Sequence, residues 1–307
     1  MFLPRLRDFI EDNDGWLYAV STYDNSDRIG CILRYVPDPH GERMNMSGTR
    51  YQKLDFEPAF QIIKERKPNY LDVVHRVPPT DVKRIYKPET ELPAIASRDP
   101  RVRKLMKMFC VPDSSMGCTG SLLCGLEIES SDIDFIVYGR DWFIAREHLI
   151  SAVKKGLLEP MSEDLWETVY RKRRPEISFN DFILHEKRKW NRGQIEGTYF
   201  DLLYTRGYDE ISTAPSVKGE VLGPMTIDAL VTDATYAYDN PAVYSVSHDK
   251  ISRVLSFTHT YSGQAVRGEM INARGICERH GEEYWLIVGT TREAKGEYIK
   301  SITLLEQ

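Results

Sequence analysis

The chain is poor in the features that would fix it by covalent or metal staples. Only five of its 307 residues are cysteines, Cys31, Cys110, Cys118, Cys124 and Cys277. That odd number, with no C-x-x-C pair, argues against a disulfide framework or a zinc ribbon and for a reducing cytoplasm. The seven histidines are scattered, with no H-x-x-x-H spacing, so a built-in zinc site is not expected. No apolar run approaches the ~20 residues of a membrane span, and the N-terminus lacks a signal-peptide core. The expectation is a cytoplasmic protein with no membrane partner. Internal repeats and low-complexity tracts are absent. An excess of positive charge is also lacking: a net charge of −5, from 41 Lys and Arg against 46 Asp and Glu, removes the global case for nucleic-acid binding and leaves only a local basic surface to supply it. The rest is ordinary for a globular protein, with 41% hydrophobic and 28% charged residues, and the length suggests two or three domains.

One stretch stands out, Met116 to Gly139, MGCTGSLLCGLEIESSDIDFIVYG. Gly120-Ser121 supplies a tight turn whose following amides and hydroxyl can receive phosphate oxygens at a helix start. A polar link, Glu127 to Ser131, leads to Asp132-Ile133-Asp134, which opens the apolar run Phe135-Ile136-Val137-Tyr138. Side chains alternate along a strand, so Asp132 and Asp134 share a face opposite Ile133 and Phe135. Two carboxylates so close resist joint ionisation unless a cation sits between them. Oxygen ligands of this kind suit Mg²⁺, which takes a few carboxylates and completes its shell with water and phosphates. A bare D-x-D also occurs as an acidic surface turn entering a strand. Here the Gly-Ser turn, Gly125 and the following strand come with it.

This pattern, carried by GSLLCG and SDIDFIVYG, resembles the signature of the polymerase-beta-like nucleotidyltransferase superfamily. Over its full length the chain looks like a group of mostly archaeal predicted nucleotidyltransferases. The resemblance covers roughly 110–206. It implies a third carboxylate on a neighbouring strand, and the candidate is Asp201, the single acid in the apolar run Gly197 to Tyr204. It also implies a two-metal mechanism with Mg²⁺ or Mn²⁺ held by Asp132, Asp134 and Asp201, and an NTP whose phosphates Gly120 and Ser121 hold. In small members basic residues follow the Gly-Ser pair; here Leu122, Leu123 and Cys124 stand in their place.

Elsewhere the patterning predicts an α+β chain in three parts: an N-terminal α/β module over 1–92, a mixed-sheet nucleotidyltransferase core over 93–215, and a small β-barrel-like, OB-like domain over 216–307. Strands are expected at Trp16 to Val20 and Ile29 to Val36, and a helix from Phe56 to Lys67. Basic and aromatic residues between Arg43 and Lys53 could touch a substrate, against the plainer reading of an ordinary polar surface. Pro78-Pro79 and Tyr86 to Pro93, with two more prolines, read as a domain boundary or an extended connector. A helix follows from Arg101 to Phe109, packing beneath the motif strand, and another from Trp142 to Lys155. Ser162 and Ser178 start two more helices, which end in the basic clusters Arg171 to Arg174 and Lys187 to Arg192. Arg173, Arg174 and Lys189 are the candidates there for holding a nucleotide or an acceptor backbone, against the plainer reading of solvated helix ends. In the C-terminal part, Tyr236, Tyr238, Tyr244, Phe257 and Tyr261, with Arg253, Arg267 and Arg274, could stack and hold single-stranded nucleic acid or could fill a barrel interior. The expected activity is transfer of a nucleoside monophosphate to an acceptor hydroxyl, with a nucleic-acid 3′ end, RNA or another nucleic acid, as the leading acceptor. The alternatives are a nucleic-acid-binding protein with an inactive transferase domain, and transfer to a protein or small molecule.

Overall fold

A computed structural model describes residues 4–215, 218–291 and 294–307. The chain is α+β and divides into two compact units, Met1–Glu159 with Gly193–Ser216, and Pro160–Arg192 with Val217–Gln307.

The first unit begins with strands β1 (Phe9–Asp12), β2 (Leu17–Val20), β3 (Ile29–Pro37), β4 (Arg43–Met44) and β5 (Arg50–Lys53). Helix α1 (Phe56–Arg66), β6 (His75–Val77) and β7 (Val82–Tyr86) follow. These strands form an antiparallel sheet in the order β4-β5-β3-β2-β1-β7, with β6 on β3. Alternation gives the sheet two apolar faces. Ile10, Tyr18 and Leu33 pack with Ala59 and Ile63 of α1. Phe9, Leu17, Tyr35 and Tyr51 pack with Leu123 and Leu126 from the motif stretch.

Residues expected as an extended connector form helix α2 (Pro88–Arg98), with Pro93 inside it. The lost backbone bond at Pro93 is outweighed by one buried stripe, Leu92, Ile95 and Ala96. Helix α3 (Pro100–Phe109) starts at Asp99, whose side chain accepts from the Arg101 amide at 2.9 Å. Then come β8 (Met116–Cys118), α4 (Gly120–Cys124), β9 (Ile133–Tyr138) and α5 (Asp141–Lys154). The chain passes through α6 (Glu163–Arg173) and α7 (Phe179–Lys189) of the second unit, then returns as β10 (Arg192–Ile195) and β11 (Thr198–Thr205). This sheet runs β10-β11-β9-β8, with β9 and β11 parallel. Its core is aromatic: the Phe109 ring of α3 lies 5.0 Å from Phe135 and 6.4 Å from Phe200. The Trp142 Nε1–H donates to the Leu202 carbonyl at 3.2 Å.

In the second unit lie β12 (Glu220–Asp233), β13 (Ala242–Ser247), β14 (Arg253–Ser256), β15 (Met270–His280), β16 (Glu283–Val288), β17 (Tyr298–Ser301) and α8 (Ile302–Leu305). The order is β12-β13-β14-β16-β15-β17, and β12 also pairs with β15 from Glu220↔Arg279 to Leu230↔Met270. The pairing path through five strands therefore returns to its start. Helices α6 and α7, expected within the central segment, belong here. The Lys189 ammonium donates to the Thr260 carbonyl at 2.8 Å, Arg188 pairs with Glu269 at 2.5 Å, and the Ser301 amide donates to His185 Nε2 at 2.9 Å. Among the described residues no helix is long and apolar enough to cross a membrane.

Candidate active site

Strands β9 and β11 run parallel in a register that sets Asp134 directly beside Asp201. Residues paired across neighbouring strands project to the same face, so both carboxylates leave the sheet on one side. Their neighbours Ile133, Phe135, Phe200 and Leu202 are buried on the other. Asp134 and Asp201 are half-buried; Asp132, just ahead of β9, is exposed. Burial and then the negative charges of Asp132 and Asp201 push the Asp134 carboxyl up to about 7, with Arg7 and Arg34 acting in the opposite direction. The three acids expected from the sequence therefore share one electrostatic neighbourhood.

The Gly-Ser turn lies against this pair. Gly120 has φ +69°, and a Cβ there would come within 2.5 Å of Asp134 Oδ2. The Thr119 amide donates to the Asp134 carbonyl at 3.0 Å, and the Leu126 amide to the Ser121 carbonyl at 2.9 Å. Helix α4 is five residues long, buries Leu122 and Leu123, and stops at Gly125, φ +63°. The polar link before Asp132 is held from the N-terminal sheet: buried Arg43 donates to the Leu126 carbonyl at 3.1 Å and to Ser131 Oγ at 3.3 Å. Arg43 of that segment thus orders the loop to the acids.

The sequence did not mark Arg7 and Arg34, whose charges act on the Asp134 carboxyl. No spacing singles out either among 41 Lys and Arg residues, and no catalytic pattern is expected in 1–90.

Arg173, Arg174 and Lys189 belong to the second unit. Lys189 is 1% exposed and pairs with Glu186. Burial, then the charges of Arg173 and Arg188, push its ammonium well below the usual lysine range. Its position makes it an interior tie rather than a surface contact for a nucleotide. Arg173 Nη1 lies 3.6 Å from the same Glu186, and Arg192 pairs with it too. Arg174 is exposed and caps α6 in the left-handed region. Of the aromatics expected to stack on a nucleic acid, Tyr244 and Tyr261 are buried in the interior of this unit, where the Tyr244 hydroxyl donates to the Tyr261 carbonyl at 2.8 Å. Phe257 is exposed.

Among the described residues no group of three or more His, Cys, Asp or Glu side chains forms a ready metal cage. The donor set at Asp134 and Asp201 is instead that of an open site. It fits an ion such as Mg²⁺, which keeps waters and takes one or two carboxylates plus substrate phosphates.

No family model and no solved structure matches the chain. A protein of Methanocaldococcus jannaschii, described as uncharacterized protein MJ1086, is 38% identical over 334 aligned residues, which cover 96% of this chain and 98% of the relative.

Proposed function

Because the chain belongs to the family of the uncharacterized Methanocaldococcus jannaschii protein MJ1086, a relative whose name assigns no chemistry, we propose its function from the site itself. The reading is metal-dependent nucleotidyl transfer: a nucleoside monophosphate passes from an NTP to an acceptor hydroxyl. The observation that carries it is the register of Asp134 beside Asp201, with the Gly120 turn closed against the Asp134 carboxylate.

Asp134, Asp132 and Asp201 would hold Mg²⁺ or Mn²⁺. Metal held there would supply positive charge against the phosphate oxygens of the nucleotide. The acceptor hydroxyl oxygen forms the new bond to the α-phosphorus, and the bond to the β-phosphate oxygen breaks, releasing pyrophosphate. Asp201 is the group on the acceptor side that would orient the hydroxyl and take its proton. The turn at Gly120 and Ser121 sets how closely the phosphates approach Asp134, because only hydrogen at the Gly120 α-carbon leaves that carboxylate room.

An RNA 3′ end is the leading acceptor, in a cytoplasmic setting. What supports this is the second unit taken by itself, whose returning strand path suits a small OB-like barrel, a fold that binds oligonucleotides. The test is incubation with each labelled NTP, Mg²⁺ or Mn²⁺, and pooled RNA, read on a gel. Incorporation that disappears in Asp134→Asn and in Asp201→Asn is the expected result. No incorporation into RNA, protein or small molecule under any of these conditions would leave a binding protein with an inactive site.

A further inference from the structure

The helix after the Gly-Ser turn carries no cation. Leu123 packs among Phe9, Leu17, Tyr35 and Tyr51, and Cys124 packs against the same cluster, so the N-terminal sheet covers that side of α4. At five residues α4 also has little macrodipole to offer an anion. A polyphosphate drawn to the three acids would therefore meet negative charge with no compensation from α4.

Two irregularities of the covering sheet fall at the two arginines that bear on Asp134. The first is in β3. Tyr18 pairs with Leu33 and Leu17 with Tyr35, so Arg34 is an extra residue opposite a single step of β2, a β-bulge. The bulge sets Tyr35 on the α4 face while Leu33 stays on the other, with Arg34 as the inserted residue between them. Bulges are found where a side chain must be redirected toward a site. The second is Arg7, in the turn entering β1, with φ +75°. A left-handed arginine is costly and persists only where its surroundings over-determine it. Here they do. Its amide donates to the Val20 carbonyl at 2.9 Å. The flanking turn is closed by Asp8, whose carboxylate accepts from the Arg5 amide at 2.9 Å. The Arg7 carbonyl accepts from Thr119 Oγ1 at 2.6 Å, and the Thr119 amide in turn bonds the Asp134 backbone. Arg7 Nε donates to the carbonyl of Tyr204, three residues beyond Asp201 on β11. Arg7 is thus tied by its backbone to the Asp134 strand and by its side chain to the Asp201 strand.

We propose that Arg7 and Arg34, supplied by the N-terminal sheet, are the polyphosphate-binding half of this site and take the place of the basic residues that α4 lacks. The inference rests on the nucleotidyl-transfer reading and names how the donor's phosphates are held. Guanidinium suits the task because its planar fork meets two phosphate oxygens at once and stays charged at any working pH. The N-terminal sheet is then part of the active site rather than an appended module.

The test is calorimetric titration of the intact protein, in Mg²⁺, with inorganic tripolyphosphate and with each of ATP, GTP, CTP and UTP. Arg34→Gln and Arg7→Gln should each weaken tripolyphosphate and NTP binding by about tenfold or more. Arg34→Lys should recover part of the loss, with the thermal melt of the Arg34 variants unchanged. Should Arg7→Gln fail to fold, Arg34→Gln decides. Variants that bind tripolyphosphate as tightly as the parent, while the parent transfers nucleotides, would overturn this inference and leave the transfer reading standing. Arginine-dependent tripolyphosphate binding in a protein that transfers nothing would support the anion site and remove the transfer reading. No triphosphate binding by the parent protein would overturn both.

Discussion

Replacing Gly120 by alanine separates folding from function, because a matched control lies five residues away. Gly120 and Gly125 both sit in the left-handed region, φ +69° and +63°. An L-residue pays about 1–2 kcal/mol to adopt that conformation, so either alanine should lower the melting temperature by roughly 2–4 °C per kcal/mol in a unit of this size. At Gly125 the new methyl group meets nothing within 4 Å; at Gly120 it comes within 2.5 Å of Asp134 Oδ2. Ordinary contact needs about 3.5 Å, so the Asp134 carboxylate must move by about 1 Å. That displacement is mild for stability, since a carboxylate end can swing. It is severe for a site that must hold an ion and a phosphate in line, where about 1 Å of misplacement costs on the order of 100-fold in rate. Circular-dichroism melts should therefore show similar losses for Gly120→Ala and Gly125→Ala, while NMP incorporation falls about 100-fold in the first alone. Equal activity in the two variants, whether retained or lost, would refute the placement of Asp134 as a ligand pressed against the turn.

Asp201→Asn should weaken Mn²⁺ binding to the nucleotide-bound protein by tenfold or more, since an amide is a poor ligand for a hard cation; an unchanged isotherm would remove Asp201 from the site. His75 and His185 are both pushed down to about 4 by burial, and each accepts a backbone N–H, from Leu33 at 3.0 Å and from Ser301 at 2.9 Å. With the folded values depressed, the stability they confer is present above about 6.5 and is lost as pH falls toward about 4. Urea midpoints should drop across that window, and a His75→Gln, His185→Gln double variant with an undiminished drop would contradict the assignment. In the second unit, Glu186 faces Lys189, Arg192 and Arg173. Glu186→Gln leaves those charges without their carboxylate and should cost about 3–5 kcal/mol, a prediction that a loss under 1 kcal/mol in denaturant melts would sink.

The carboxylates that share one neighbourhood around Asp134 were legible and the arginines whose charge acts on Asp134 were not, for one physical reason. A carboxylate inside an apolar β run is conspicuous, because nothing but function or a partner keeps it there; Asp134 and Asp201 stand out this way, and Asp132 by its place two residues before Asp134. Arginine is tolerated over most of a protein surface, so composition and spacing carry no mark of which ones converge. What selects Arg34 is a one-residue slip between β2 and β3, and what selects Arg7 is a backbone angle held by contacts with residues 119 and 204. Both are products of long-range pairing. The same limit explains α6 and α7. Their serine caps and periodicity announce the helices, and Ser162 and Ser178 do accept from Leu165 and Asp181, but an amphipathic stripe names no partner. It explains Lys189 as well, whose place in a basic helix end reads as solvated until Glu186 and Thr260 enclose it. Prolines at 88 and 93 suggest a break in the chain by local rules, and one buried stripe makes a helix of it instead. Local chemistry thus locates where negative charge must be managed, whereas the groups that manage it are chosen by how distant segments pack. Under the proposed transfer reading, the D-x-D strand would supply the ligands of the ion and the distant arginines would hold the substrate.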